Sequence, residues 1–399
     1  MTKLEFQQLN FEESEDKLKV SFQNLYYFYI PYSDLRKIGE FQVSRNSITF
    51  NSPKDRAKRK LNMLIDKGFL TLKNKISSRS AFYIHKNSGI PLLGTIYFGI
   101  VDKGSSMLEL KPLTSCNMNC TFCSVDEGIL STRLNDYIVE KEYLVDETKK
   151  ILDYKKRGLD IYINPHGEPL LYPNIVELCN DLAKLKHTKS ITIITTATLL
   201  SKPLIDSLSQ NKKTKLNVSL HAIDEKLSKE LFGTKGYNIK RVLEMLRYAS
   251  KKLEIIIAPV LLANCNEIEI PKIIKFAKEI KAKILIQKFI KNKAGRNPKK
   301  EESWDSFYSK LDNLEKQSNV ILKPELDKIE QTKTLPHPFK INQIIKATIV
   351  LPGRFKGEVL SSHSNRLISI SNCHKTIGTQ IKIKITKTKN GIFKANIVN

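Results

Sequence analysis

The sequence predicts an α/β protein, with a central parallel sheet between an N-terminal α+β region and a small β-rich C-terminal domain. Three observations carry this. Residues 106–295 alternate strand-like and helix-like segments, residues 1–95 hold aromatic, β-rich pieces around one basic helix, and residues 337–399 break into short strands. With 399 residues the chain has room for a large central domain and two smaller ones. We place the boundaries at an accessory domain over 1–100, a core over 101–295, a helical linker over 296–336 and a terminal barrel over 337–399.

In the N-terminal region Asn24-Leu-Tyr-Tyr-Phe-Tyr29 and Ile48-Thr-Phe50 read as strands. Residues 55–67 read as a basic helix that ends at Gly68 and turns into a strand. That pattern fits a piece of a winged helix, but a generic α+β accessory domain describes it better. In the core, Leu108-Glu-Leu-Lys-Pro-Leu113 is a strand running into a cysteine-rich loop, and residues 137–156 have the length and periodicity of a helix. Strands follow at 160–164, 190–196, 216–220, 253–260 and 283–289, with helices at 174–186, 202–210, 239–252 and 270–281. Six β/α units in succession imply parallel strands, because each crossover returns the chain to the same end of the sheet. The fixed hand of such crossovers makes the sheet a continuous curved one or a barrel.

Beyond the core, residues 291–302 form a polar connecting loop with Lys291, Lys293, Lys299 and Lys300. A helix over 303–317 carries Trp304, Phe307, Leu311 and Leu314 on one face. Leu335-Pro-His-Pro338 marks the next boundary. In the tail Ile381, Ile383 and Ile385 alternate with Lys382, Lys384 and Thr386, so one face is buried and the other basic.

The formal net charge is +26, with an isoelectric point near 9.6. Such a field favours polyanions, RNA or DNA first. Lysine and isoleucine abound along the whole chain, as heat adaptation or an AT-rich genome would produce, but glutamate does not rise in step with lysine. No apolar run is long enough to span a membrane, and the polar residues 1–10 hold no signal-peptide core. The cytoplasm is the expected compartment.

Half of the six cysteines fall in Cys116-Asn-Met-Asn-Cys120-Thr-Phe-Cys123. Thiolates that dense normally hold a metal. A structural zinc site closes four positions, and no fourth Cys or His stands at a usual spacing. A redox pair needs only CxxC, which leaves Cys116 surplus. Three thiolates can instead take three irons of a cubane cluster and leave the fourth iron open to a small molecule. Cys179, Cys265 and Cys373 stand alone and read as small buried apolar residues.

This run, with Phe122 before the last cysteine, resembles the radical SAM enzymes. The resemblance implies a 4Fe-4S cluster on Cys116, Cys120 and Cys123, S-adenosylmethionine chelated by its amino and carboxylate groups, and reductive cleavage to a deoxyadenosyl radical. It also sharpens the fold to a partial (β/α)6 TIM-type barrel, with the chemistry at the carboxyl ends of the strands.

The same resemblance places Asn164-Pro-His-Gly-Glu-Pro169 where relatives carry a Gly-Gly-Glu-Pro segment that binds the methionine amino group. Gly167 permits close backbone approach and Glu168 supplies an anion for an ammonium. His166 departs from the pattern and alters the expected substrate space. Asn217 or Ser219 would hold the ribose, and Thr196 stands where relatives have Thr-Asn-Gly, a pattern from which Ala197 departs. His221 shares the strand face of Asn217 and Ser219 by alternation, and a lone histidine there more often satisfies a loop. Asn264, Glu267, Gln287 and Lys288 line the mouth by position only.

The tail, with eleven Lys or Arg against the one acid Glu358, resembles the TRAM domain, a small OB-like barrel of RNA-modifying enzymes. A basic barrel suits a phosphate backbone. Phe355 and Phe393 are candidate stacking platforms, with core packing the commoner role for each. The expected function is modification of tRNA or rRNA, with electrons from a ferredoxin or flavodoxin. The alternative is a radical SAM enzyme on a small metabolite or peptide in cofactor biosynthesis. Residues 1–100 contain no cysteine, which argues against a second cluster for sulfur insertion.

Overall fold

A computed structural model of the chain describes residues 1–323 and 329–398. Residues 324–328 of the expected linker, and residue 399, lie outside the described residues.

The core sheet has the spatial order Lys283–Ile284, Glu254–Ile257, Thr214–Val218, Thr188–Thr195, Leu159–Ile163, Met107–Lys111 and Gly99–Asp102. Every pairing is parallel except the last, where Gly99–Asp102 runs antiparallel along the first core strand. Helices Lys141–Lys155, Ile175–Lys184, Lys202–Leu208, Ile239–Ala249 and Ile270–Glu279 make the crossovers. A further helix, Glu225–Leu231, follows the fourth strand and was not expected. Strand positions such as Leu108, Leu110, Ile161, Ile163, Ile191, Ile193, Leu216 and Val218 are fully buried, as a sheet covered by helices requires.

Two expectations are corrected. Residues 137–139 are not the start of a helix. Asn135–Val139 is a strand, and it pairs in parallel with Ser80–Ile84 in the N-terminal sheet. The run Tyr137-Ile-Val139 is aromatic and β-branched, so it suits a strand, and the helix begins only at Lys141. The fifth and sixth strands are each broken. Glu254–Ile257 pairs with Lys283–Ile284, whereas Val260–Leu261 forms a separate two-stranded ladder with Gln287–Lys288. Pro259 sits at the break, where it has no N–H to give to a ladder.

The N-terminal region is α+β. Its larger sheet runs Asn135–Val139, Ser80–Ile84, Lys73–Asn74, Tyr26–Pro31, Lys17–Phe22 and Leu9–Ser14. The basic helix, Lys54–Phe69, packs on it through Ala57, Leu61 and Ile65. The core therefore lends a strand to this sheet, and one apolar cluster runs continuously from Leu9 through both regions.

At the C-terminus Ile344–Pro352, Val359–His363, Arg366–Ile370, Gln380–Lys387 and Phe393–Ile397 close into a five-stranded barrel. The first strand pairs with the second and fourth, and the third lies parallel to the fifth. Ile381, Ile383 and Ile385 face its core while Lys382 and Lys384 are exposed, as alternation predicts. Phe393 is not a stacking platform, because it is fully buried at the centre of that core. Phe355 is not free either, since the Arg133 guanidinium lies 4.0 Å from its ring centroid. Cys179 and Cys373 are buried as expected, whereas Cys265 is half-buried. Among the described residues no helix is long and apolar enough to cross a membrane.

Candidate active site

The cysteine loop leaves the first core strand and is anchored before the first thiol. The Thr114 hydroxyl donates to Asp136, and the Ser115 hydroxyl meets the Tyr26 hydroxyl at 3.0 Å and accepts from Asn74 at 2.8 Å. Cys116, Cys120 and Cys123 are half-buried and free of disulfides. Two of the sulfurs accept backbone N–H groups, Cys116 from Met118 at 3.4 Å and Cys123 from Glu127 at 3.3 Å. Burial, then mutual repulsion, pushes the Cys116 thiol well above its usual range and Cys120 up to about 12. Such thiols are held deprotonated by a metal's positive charge, which removes that penalty.

Among the described residues no three His, Cys, Asp or Glu gather tightly enough for a single ion. A cubane makes no such demand, because each thiolate takes its own iron. Free thiols in one loop, with N–H groups aimed at their sulfurs, are a donor set that fits an iron–sulfur cluster.

The Gly167–Glu168 turn meets this loop directly. The Glu168 amide donates to the Ser115 carbonyl at 2.8 Å. Gly167 has φ +151°, and a Cβ there would stand 2.1 Å from the Ser115 carbonyl oxygen. The close approach anticipated for Gly167 is thus made to the backbone just before Cys116. The Glu168 side chain is 1% exposed and accepts from the Leu170 amide, the Thr195 hydroxyl, and the amide and hydroxyl of Thr196. Burial raises its carboxyl above the usual range while these donors pull it back. Glu168 and Thr196, selected separately from the sequence, are therefore bonded to each other at 2.7 Å.

Asn217 lies in the fourth strand, and its buried Oδ1 has no hydrogen-bond partner among the described residues. The same holds for Oδ1 of Asn117 inside the cysteine loop. Buried polar atoms are nearly always paired, so two such atoms are consistent with a polar ligand. Ser219 follows the strand end, its amide on the Thr195 carbonyl at 2.9 Å. Phe122 packs edge-on against His221, with ring centroids 4.9 Å apart. His221 is buried, accepts the Val260 amide at Nδ1, and burial lowers its pKa to about 3. It is a neutral packing group. His166 lies against Tyr97, and burial together with Lys111, Arg354 and Arg133 holds it neutral.

The sequence did not reveal several residues that hold the loop. Arg296, in the stretch read as a plain connector, donates to the Cys120 carbonyl at 3.0 Å, the Glu127 carbonyl at 2.9 Å and the Asp126 carboxylate at 2.8 Å. From the barrel, Arg354 bonds the Glu127 carboxylate and lies 3.3 Å from Asp136. Arg79, from the N-terminal region, reaches the same two acids.

The molecule is thus an open α/β sheet with three free thiols in the loop after its first parallel strand, a donor set that fits an iron–sulfur cluster. The model of the radical SAM superfamily matches residues 110–277. An uncharacterized protein of Methanocaldococcus jannaschii is 36% identical over 360 residues, 82% of this chain and 83% of that protein. The chain belongs to the radical SAM superfamily, whose members use a 4Fe-4S cluster and S-adenosylmethionine. The GTP 3',8-cyclase of Crocosphaera subtropica is 28% identical over 132 residues, 33% of this chain and 38% of that enzyme. Among solved structures, Streptococcus suis SuiB bound to S-adenosylmethionine aligns at TM-score 0.44 and 16% identity, over 79% of this chain and 70% of that one.

Proposed function

We propose that this radical SAM enzyme modifies RNA, tRNA or rRNA, and that its C-terminal barrel docks the substrate. The observation that carries this reading is a set of lysines placed against one another. On the barrel's outer face Lys346 stands directly opposite Lys382, and Lys387 opposite Lys394. All four are exposed, as is Lys384 beside them. No ion pair involves any of the five among the described residues. Like charges directly across a ladder destabilise a sheet, so a surface that keeps them suits a polyanion. The strand order supports the same reading, being compatible with a five-stranded OB-type or TRAM-like barrel.

In this proposal Cys116, Cys120 and Cys123 hold the cluster. Gly167, Glu168, Thr196, Asn217 and Ser219 line S-adenosylmethionine, and Phe122 walls the site. Bound and reduced, the two cofactors supply a deoxyadenosyl radical for hydrogen abstraction. The chain's own part is to hold the thiolates, shut out water and choose the hydrogen. The electron donor would be a ferredoxin or flavodoxin, and the compartment the reducing cytoplasm.

A second reading, a small metabolite or peptide as substrate, draws support from the similarity to GTP 3',8-cyclases. Anaerobic turnover separates the two. Deoxyadenosine release from the reconstituted, reduced enzyme should rise with intact cellular RNA and not with the same RNA after nuclease digestion. Release indifferent to digestion would reject the RNA reading.

A further inference from the structure

The segment after helix Glu225–Leu231 runs alongside the cysteine loop and brackets Cys120. The Asn119 amide donates to the Phe232 carbonyl at 2.9 Å, and the Thr121 amide to the Leu231 carbonyl at 3.0 Å. At Gly233 (φ +61°) a Cβ would lie 2.1 Å from the Asn119 carbonyl oxygen, so the two backbones are in contact. A turn then brings Tyr237 back to stack on Phe232, with centroids 4.1 Å apart. Phe232 in turn packs on His221, and His221 on Phe122, so a continuous aromatic wall fixes the Tyr237 ring.

The Tyr237 side chain is 1% exposed, yet its hydroxyl has no hydrogen-bond partner among the described residues. Burial raises its pKa, so the phenol keeps its proton. The phenol is therefore an unpaired donor whose ring is stacked on the segment that brackets Cys120. Leaving such a group unpaired costs about 1–3 kcal/mol, and buried hydroxyls normally find a partner.

We propose that the Tyr237 hydroxyl donates a hydrogen bond to the iron–sulfur cluster, at the Cys120 sulfur or an adjacent sulfide, and is a positioning residue that tunes the cluster. Hydrogen bonds to the sulfurs help set a cluster's reduction potential, because they favour the more negative reduced form. The inference needs only the cluster and is independent of the RNA substrate.

The test uses the full chain, reconstituted anaerobically, with Tyr237→Phe. The midpoint potential should shift downward, and one exchangeable deuteron coupling should vanish from the reduced cluster's magnetic resonance spectrum in D2O. Chelator removal of iron should quicken several-fold, while the iron-free protein melts no lower than wild type. An iron-replete variant with unchanged potential and unchanged deuteron couplings would overturn the proposal. Should Tyr237→Phe fail to load iron, 3-fluorotyrosine at this position supplies a more acidic donor. It should move the potential upward, and no movement would equally overturn the idea.

Discussion

The Arg354 guanidinium and the Glu127 carboxylate are bonded in the interior, each side chain 1% exposed, across 227 residues of chain. Glu127 is also the residue whose amide donates to the Cys123 sulfur. One side therefore belongs to a loop of the terminal barrel and the other to the cysteine loop. The barrel loop is held over its whole length. Tyr137 donates to the Pro352 carbonyl and Asn135 to the Gly353 carbonyl, each at 2.7 Å, and Tyr97 bonds Glu358 at 2.7 Å. Two cations, Arg79 and Arg354, face two anions, Glu127 and Asp136, so the buried charge balances. Burial still pushes the Glu127 carboxyl up to about 7 against the pull of Arg354.

Arg354→Met breaks that balance and leaves Glu127 and Asp136 short of a partner. Removing one member of a buried pair costs roughly 3–5 kcal/mol. Urea denaturation of the iron-free protein should show a lowered midpoint. Adding Glu127→Gln should recover part of the loss, giving a favourable coupling in the double-mutant cycle. Additive losses would mean that the two side chains act independently.

The cysteine loop was legible because its ligands lie within eight residues, and Glu168 because it sits in a short run that ends a strand. The core strands were legible through their alternation with helices, and the barrel's last long strand through the Ile381–Ile385 alternation. Arg354 was not legible, since nothing near a Gly-Arg-Phe tripeptide says that it will cross to residue 127. Arg296 was lost for the same reason, lying 176 residues from Cys120 and within a lysine-rich loop that reads as solvated. Residues 137–139 were misread because they form one apolar run with the helix that follows. Their strand character is decided by a partner at 80–84, which periodicity cannot show.

Gly167→Ala should empty the site. The added methyl meets a backbone oxygen at 2.1 Å on a residue that a 2.8 Å hydrogen bond already holds, so neither side can give way cheaply. The φ of +151° adds strain of about 1–3 kcal/mol for a side chain. We expect a folded protein by circular dichroism, with iron and sulfide content reduced several-fold after reconstitution. Full loading would show that the Ser115 contact does not position the thiols.

His221 should make the protein acid-sensitive. Its folded pKa, about 3, lies below the ordinary 6.5, so the unfolded chain takes up the proton first. Its contribution is fully present above pH 6.5 and is lost as pH falls towards 3, by about 1.4 kcal/mol per pH unit. By pH 5 that amounts to roughly 2 kcal/mol. His221→Gln keeps an acceptor for the Val260 amide and removes the titration. Denaturation at pH 7.5 and pH 5 should therefore show a smaller acid loss in the variant than in the wild type. An identical loss in both would place the acid sensitivity elsewhere.

The barrel lysines set stability against binding. Lys346 and Lys382 are directly opposed on adjacent strands, both exposed and without an acidic partner among the described residues. Replacing both with glutamine removes a repulsion on the order of 0.2–1 kcal/mol, so the barrel should become slightly more stable. If the pair neutralises phosphates, the same change should weaken RNA binding at low salt. It should also reduce the slope of log affinity against log salt by about 0.7–0.9 for each phosphate no longer neutralised. Melting temperature and a salt titration of RNA binding on the full chain measure the two effects together. A stabilised variant with a shallower slope is the expected result, because it shows repulsion kept in the folded protein for the sake of a phosphate ligand. A stabilised variant with an unchanged slope would mean that these lysines are merely part of a basic composition, and the docking face would have to be sought off this ladder.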